Sequence, residues 1–151
     1  MASGAVDPRS RRPDHSCVAV RYFTAEEANE ILEVVRPLAE EMIERRRAFV
    51  ELQAREAEFT GTIAGNGGDF DPGELRELYD RLGEEATAVA RCVAGIHEVG
   101  ALVKDLDRGL IDFPAQRAGE DVLLCWHVGE ADIEYWHGPD EGFSSRKPLP
   151  L

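Results

Sequence analysis

LLCWHVGEADIEYWH, residues 123–137, sets a Cys, two His, two Trp, two Glu and an Asp into fifteen positions. DVLLCWH and DIEYWH flank the turn-like Val128-Gly129-Glu130-Ala131, the pattern of two strands joined by a turn. If Gly129-Glu130 is a two-residue loop, Trp126 faces Ile133, Leu124 faces Tyr135 and Val122 faces His137. That face is apolar, with one imidazole at its end. Leu123, Cys125 and His127 then stand opposite Trp136, Glu134 and Asp132. Two readings follow. In one, Trp126 and Tyr135 enter a core while Asp132, Glu134 and His127 meet water, and the cross-strand polar pairs contribute only about 0.2–1 kcal/mol each. In the other, imidazole and carboxylates gather around Zn, Mn or Fe, leaving a coordination position for water. Neither HxH nor HExxH spacing is present.

Upstream, ALVKDL, LIDFP and DVLLCWH are further short strand candidates, separated from one another and from DIEYWH by DRG, AQRAGE and VGEA. Connections this short favour an antiparallel meander over residues 101–137. Residues 138–151 read as an irregular tail, because Pro148 and Pro150 block further strand.

The first half of the chain follows a different period. Thr24 with Glu27 three residues later forms a capping box before the run ANEIL. Apolar residues then recur at Ile31, Val35, Leu38, Met42, Phe49, Leu52 and Phe59, in steps of three and four with Arg45 and Glu56 in the gaps. This predicts a helix over 24–59, with a kink or break at Pro37. Residues 60–72 are rich in Gly and Asp and read as a loop. Asp71-Pro72 opens a second helix, 72–99, whose seam is Leu75, Tyr79, Leu82, Ala86, Val89, Val93 and Ile96, with Gly100 as its stop. Two seams joined by one loop make an antiparallel, coiled-coil-like hairpin. The fold class is α+β: a long helical hairpin followed by a small antiparallel β-meander, one domain over residues 17–151.

The net charge of −13 over 151 residues argues against nucleic acid, whose phosphates demand clustered Lys and Arg, and against an anionic membrane. No apolar run reaches the ~18 residues that span a bilayer. Residues 1–16 carry Arg9, Arg11 and Arg12 without an apolar stretch, and are expected to be a disordered tail rather than a signal peptide. Three cysteines, Cys17, Cys92 and Cys125, are odd in number and widely spaced, which suits free thiols in a reducing cytoplasm.

The remaining chemistry lies in carboxylates and histidines. Asp105, Asp107 and Asp112 fall within KDLDRGLIDF. Asp107-Arg108-Gly109 is turn chemistry. Asp112, between Ile111 and Phe113, sits in a half-buried strand and needs a cation, a hydrogen-bond network or a metal. Lys104 or Arg146 could be the cation; His137 could instead join Asp112 around a metal. His97 ends the second helix, where a cation suits the helix dipole. GNGGDF lacks the Lys and the strand of a phosphate loop, and Ser144 and Ser145 have no evident base.

Several stretches resemble a bacterial family known only as domain of unknown function 2203: RYFTAEEAN (21–29), VRPL (35–38), VKDLDRGLIDFP (103–114), LLCWHVGE (123–130), YWH (135–137) and GF..R.PL (142–149). The resemblance covers about residues 20–149 and implies no reaction. Its pattern falls on Lys104, Asp105, Asp112, Cys125, Trp126, Glu130, Trp136 and His137. His127 and Glu134 fall between pattern positions, and the N-terminal tail departs from the family's short start.

Three functions stay open. A divalent metal could bind near the sheet at His137, Asp112, Glu130 and Asp105. The chain could instead be an interaction module, homodimerising or binding a partner helix through its hairpin, with the polar residues fastening the sheet. Or Asp112 and His137 could be the acid/base pair of a metal-independent hydrolase.

Overall fold

The computed structural model describes residues 20–66 and 71–151; the expected N-terminal tail lies outside the described residues. The elements run α1 (Ala25–Asn66), α2 (Pro72–Glu98), β1 (Leu102–Asp105), β2 (Leu110–Arg117), β3 (Glu120–His127), β4 (Tyr135–His137), a 3-10 turn (Phe143–Ser145) and β5 (Lys147–Pro148). The two helices form a hairpin, and the five strands form an antiparallel sheet in chain order. No helix among the described residues is long and apolar enough to cross a membrane.

The capping box forms at the start of α1. Thr24 Oγ1 accepts the Glu27 N–H at 3.1 Å, and Glu27 Oε1 accepts the Thr24 N–H at 3.4 Å. The expected break at Pro37 does not occur: one helix runs through it. Pro37 is exposed while Val35 and Ala39 beside it are fully buried, so packing holds the turn that the proline weakens. α1 also runs to Asn66 rather than ending at 59. Thr60 Oγ1 donates to Glu56 Oε1 at 3.0 Å and Thr62 Oγ1 to the Glu58 carbonyl at 2.9 Å, keeping the polar side chains within the helix. Asp71 caps α2 by accepting the Gly73 N–H at 2.8 Å, with Pro72 in the first turn.

α1 buries more than the expected seam. Ala28, Leu32 and Ala39 join Val35 and Met42 in one cluster with Ile111, Phe113, Ala115, Val122, Leu124 and Trp126 of the sheet. Leu38 packs against Gly95 of α2, while Ile43 packs on Gly109 in the β1–β2 turn. A Cβ at Gly109 would lie 2.6 Å from Ile43, and its φ of +65 also favours glycine. Small residues on the sheet side let α1 serve two neighbours.

β2 and β3 meet at Ala118-Gly119, with φ of 51 and 82, the two left-handed positions of a tight hairpin turn. Ala115-Gln116-Arg117 therefore belong to strand, not to the loop expected there. Pro114 is tolerated in β2 because β1 pairs only as far as Asp112; the Phe23 N–H donates to the Pro114 carbonyl at 2.7 Å.

The β3–β4 register differs from expectation by one residue. Leu123 pairs with His137, Leu124 with Trp136 and Cys125 with Tyr135. The connection is not a two-residue turn but a loop across residues 128–134, pinned to α1. Asn29 Oδ1 accepts the Ile133 N–H at 2.8 Å, and Arg36 donates to the Glu130 carbonyl at 3.0 Å. A one-residue slip exchanges the faces of a strand. His137 thus leaves the apolar face and joins Cys125. The C-terminal segment is not wholly irregular either: Lys147 and Pro148 add β5 to the sheet edge, and the Leu149 N–H donates to the Glu134 carbonyl at 2.9 Å.

Candidate metal centre

The sheet face turned away from the apolar cluster carries a row of paired residues: Leu102, Asp112, Cys125 and Tyr135 on four successive strands. His137 lies next to this row, opposite Leu123. Asp112, Cys125 and His137 are 1%, 0% and 4% exposed. Their potential ligand atoms all lie within 4.8 Å of one another, the one such group of three among the described residues. A tetrahedral cation with bonds of about 2.0–2.3 Å holds its donors roughly 3.3–3.8 Å apart, so modest side-chain movement closes the group on an ion.

The hydrogen bonds show how the three donors are presented. His137 Nδ1 lies 2.8 Å from the Gly138 carbonyl, which only an N–H can satisfy. Nε2 then presents its lone pair toward Asp112 Oδ2 at 3.1 Å. Two electron-rich atoms at that distance require a cation between them, a proton or a metal. Asp112 Oδ1 is buried beyond the reach of any strong donor, and the carboxylate's other neighbour is the Cys125 thiol, a weak donor, so a proton on the first oxygen does not satisfy the group. Burial, with the Asp112 carboxylate second, pushes the Cys125 thiol up to about 12. It is therefore neutral at physiological pH and becomes a thiolate only when a cation displaces its proton.

Of the residues the sequence nominated, His137 and Asp112 converge here, whereas Asp105 and Glu130 do not enter the group. Asp105 Oδ1 accepts the Asp107 and Arg108 N–H groups at 2.8 and 3.1 Å, fastening the β1–β2 turn. These backbone bonds hold its carboxyl below the usual range. Glu130 accepts Arg146 Nη2 on both oxygens at 2.7 Å and the His127 N–H at 3.0 Å. Asp112 takes His137 as its partner rather than Lys104 or Arg146, because Arg146 is committed to Glu130. Glu134 is exposed, so it does not join Cys125 and His127. His97 Nε2 accepts the Val103 N–H at 3.3 Å, a structural role at the start of the sheet.

Cys125 is the residue whose partners sequence reasoning missed. The signal was present in the β2–β3 hairpin: a two-residue turn at Ala118-Gly119 fixes Asp112 opposite Cys125. Placing that turn at AG, rather than reading all of AQRAGE as loop, would have found it.

No curated protein and no solved structure matches the chain. One family model does, over residues 21–149, nearly the whole described structure. It spans the capping box, the β1–β2 turn, all three buried donors and Arg146, and the chain belongs to that family, Uncharacterized conserved protein (DUF2203).

Proposed function

We propose that this is a metal-binding protein in which Asp112, Cys125 and His137 hold one divalent cation. The reading rests on the orphaned Asp112 Oδ1 inside a buried group of three donors. A buried carboxylate oxygen without a partner is costly, and a cation satisfies it together with the His137 lone pair and the thiolate. Imidazole with thiolate favours Zn, with Fe next and Mn, which prefers carboxylate and water, last. Three protein donors leave a fourth position, where a bound metal lowers the pKa of water. The site needs Cys125 reduced, in keeping with a cytoplasmic protein.

Dimerisation through the hairpin finds less support. Val34 and Val50, the exposed valines of α1, lie sixteen residues apart and so on nearly opposite sides of the helix. Among the described residues these two form no continuous stripe along α1, and the exposed large apolar side chain of α2 is Tyr79.

Elemental analysis of protein purified without a metal-affinity tag should find about one equivalent of metal. Asp112→Asn should fold and lose it, because the amide can donate to His137 Nε2 while offering the cation no charge. Cobalt-loaded protein should show a thiolate-to-metal absorption band that Cys125→Ala removes. If no metal copurifies, and neither Zn, Mn nor a chelator moves the melting temperature, the proposal fails.

A further inference from the structure

The triad lies on the sheet face that the helices leave open, yet its residues are 0–4% exposed. The chain after β4 packs on this same face beside the triad. The flanking positions on this face, His127 and Tyr135, carry Phe143 and Arg146: the His127 and Phe143 rings are 5.6 Å apart, and the Arg146 guanidinium stands 4.1 Å above the Tyr135 ring. Arg146 also lies 4.7 Å from the Phe143 ring and is tied to both Glu130 oxygens at 2.7 Å. The segment is anchored at its start by the Glu141 carboxylate, which accepts the Gly138 N–H at 2.8 Å.

The geometry points to residues 138–146 as a strap that closes the metal site, with the buried Arg146–Glu130 ion pair as its latch. Its role in gating metal entry and release rests on the reading of the triad as a metal centre; its closure over Cys125 does not. The two latch residues come from different connections, Glu130 from the β3–β4 loop and Arg146 from the segment before β5. Their bond therefore fastens one loop over the other. Its side chains are only 11% and 17% exposed, so it is shielded from solvent as a surface pair is not. Breaking it frees the strap without removing any of the three donors.

Opening is measurable on the metal-free protein. A small alkylating reagent reaches Cys125 only when the strap lifts, and Cys92, buried on α2, reports general unfolding. Glu130→Gln and Arg146→Met should each speed alkylation of Cys125 by about tenfold or more, read by peptide mass, with Cys92 unchanged. The two substitutions remove opposite charges near the thiol, so a purely electrostatic effect on its reactivity would separate them. Acceleration by both reads opening. Unchanged Cys125 labelling, acceleration by only one variant, or a parallel rise at Cys92 overturns the latch. In a second arm, Zn-loaded protein is mixed with a chromophoric chelator. Both variants should release Zn faster than the parent, with a smaller change in equilibrium affinity. Equal changes in rate and affinity would make Glu130 and Arg146 part of the binding set instead. If the parent holds no Zn while both variants still expose Cys125, the metal reading falls and the strap stands.

Discussion

The two faces of the sheet are held by opposite means. The face toward the helices is apolar throughout: Ile111, Phe113, Ala115, Val122, Leu124 and Trp126 interlock with α1. The far face places a carboxylate, a thiol and an imidazole at equal burial beneath a polar strap. Apolar burial is non-directional and roughly additive in area. A buried polar group contributes only through specific partners and costs more when one of them is missing. Apolar contacts therefore account for the helix-packed side, and they offer no account of the far side. A chain selected for stability alone could have filled that face with Leu and Val. The far face is where function has to be sought.

The largest effects should test this contrast directly. Phe113→Ala removes a fully buried ring that meets Phe23 edge-on at 5.6 Å. It should cost about 3–5 kcal/mol in urea unfolding. His137→Ala should cost a similar amount, about 3–5 kcal/mol, by stranding the buried Asp112 carboxylate. The two losses differ in what repairs them. Adding Asp112→Leu to His137→Ala removes the stranded charge and fills space, and should recover much of the loss. If the His137→Ala deficit persists undiminished in the double variant, the pair acts by packing and the contrast between the faces collapses.

The same contrast explains what could be read from sequence. Elements set by local chemistry were legible: the Thr24–Glu27 box, the Asp71-Pro72 start and the Gly100 stop all depend on residues within one turn of each other. The α+β class was legible from the change of period. The β3–β4 register was not, because it is set by Asn29 and Arg36, about a hundred residues away, drawing the 128–134 loop onto α1. Pro37 did not end the helix, because its cost is overridden by burial of its neighbours. The candidate site was half legible. Asp112 and His137 stood out as polar residues in strands; the Asp112–Cys125 pairing was recoverable from the Ala118-Gly119 turn, whereas bringing His137 to Cys125 needed the β3–β4 register that sequence could not supply.

A smaller effect should appear at alkaline pH. Burial holds the Cys125 thiol near 12 in the folded chain, against an ordinary 9.0. The folded protein keeps a proton that the unfolded chain loses. The thiol's contribution is therefore complete below pH 9 and is lost as the pH rises toward 12, by about 1.4 kcal/mol per pH unit. Cys125→Ala should flatten that part of the stability–pH curve, measured by urea unfolding of metal-free protein from pH 8 upward. An identical slope in both proteins would mean that the thiol is not held neutral by its surroundings. On the metal-bound side the sign reverses. If the triad holds a cation as proposed, the cation displaces the thiol proton, and apparent affinity should rise about tenfold per pH unit near neutrality.

The smallest effect separates two ion pairs on the same strap. Lys147 Nζ meets Glu141 at 2.8 Å, close to the 2.7 Å of the Arg146–Glu130 contact, but the side chains are 46% and 39% exposed. The Lys147 ammonium, and then the Gly138 N–H, hold the Glu141 carboxyl below its usual range. Water and salt screen such a pair, and ordering two flexible side chains offsets most of what remains. Glu141→Gln keeps an oxygen for the Gly138 N–H and loses only the charge. It should leave both the urea midpoint and the rate of Cys125 alkylation at the parent values, in low salt as in high. If it instead opens the strap as Glu130→Gln is expected to, the strap is held by its summed charge, and the burial of the Arg146 pair is not what distinguishes the latch.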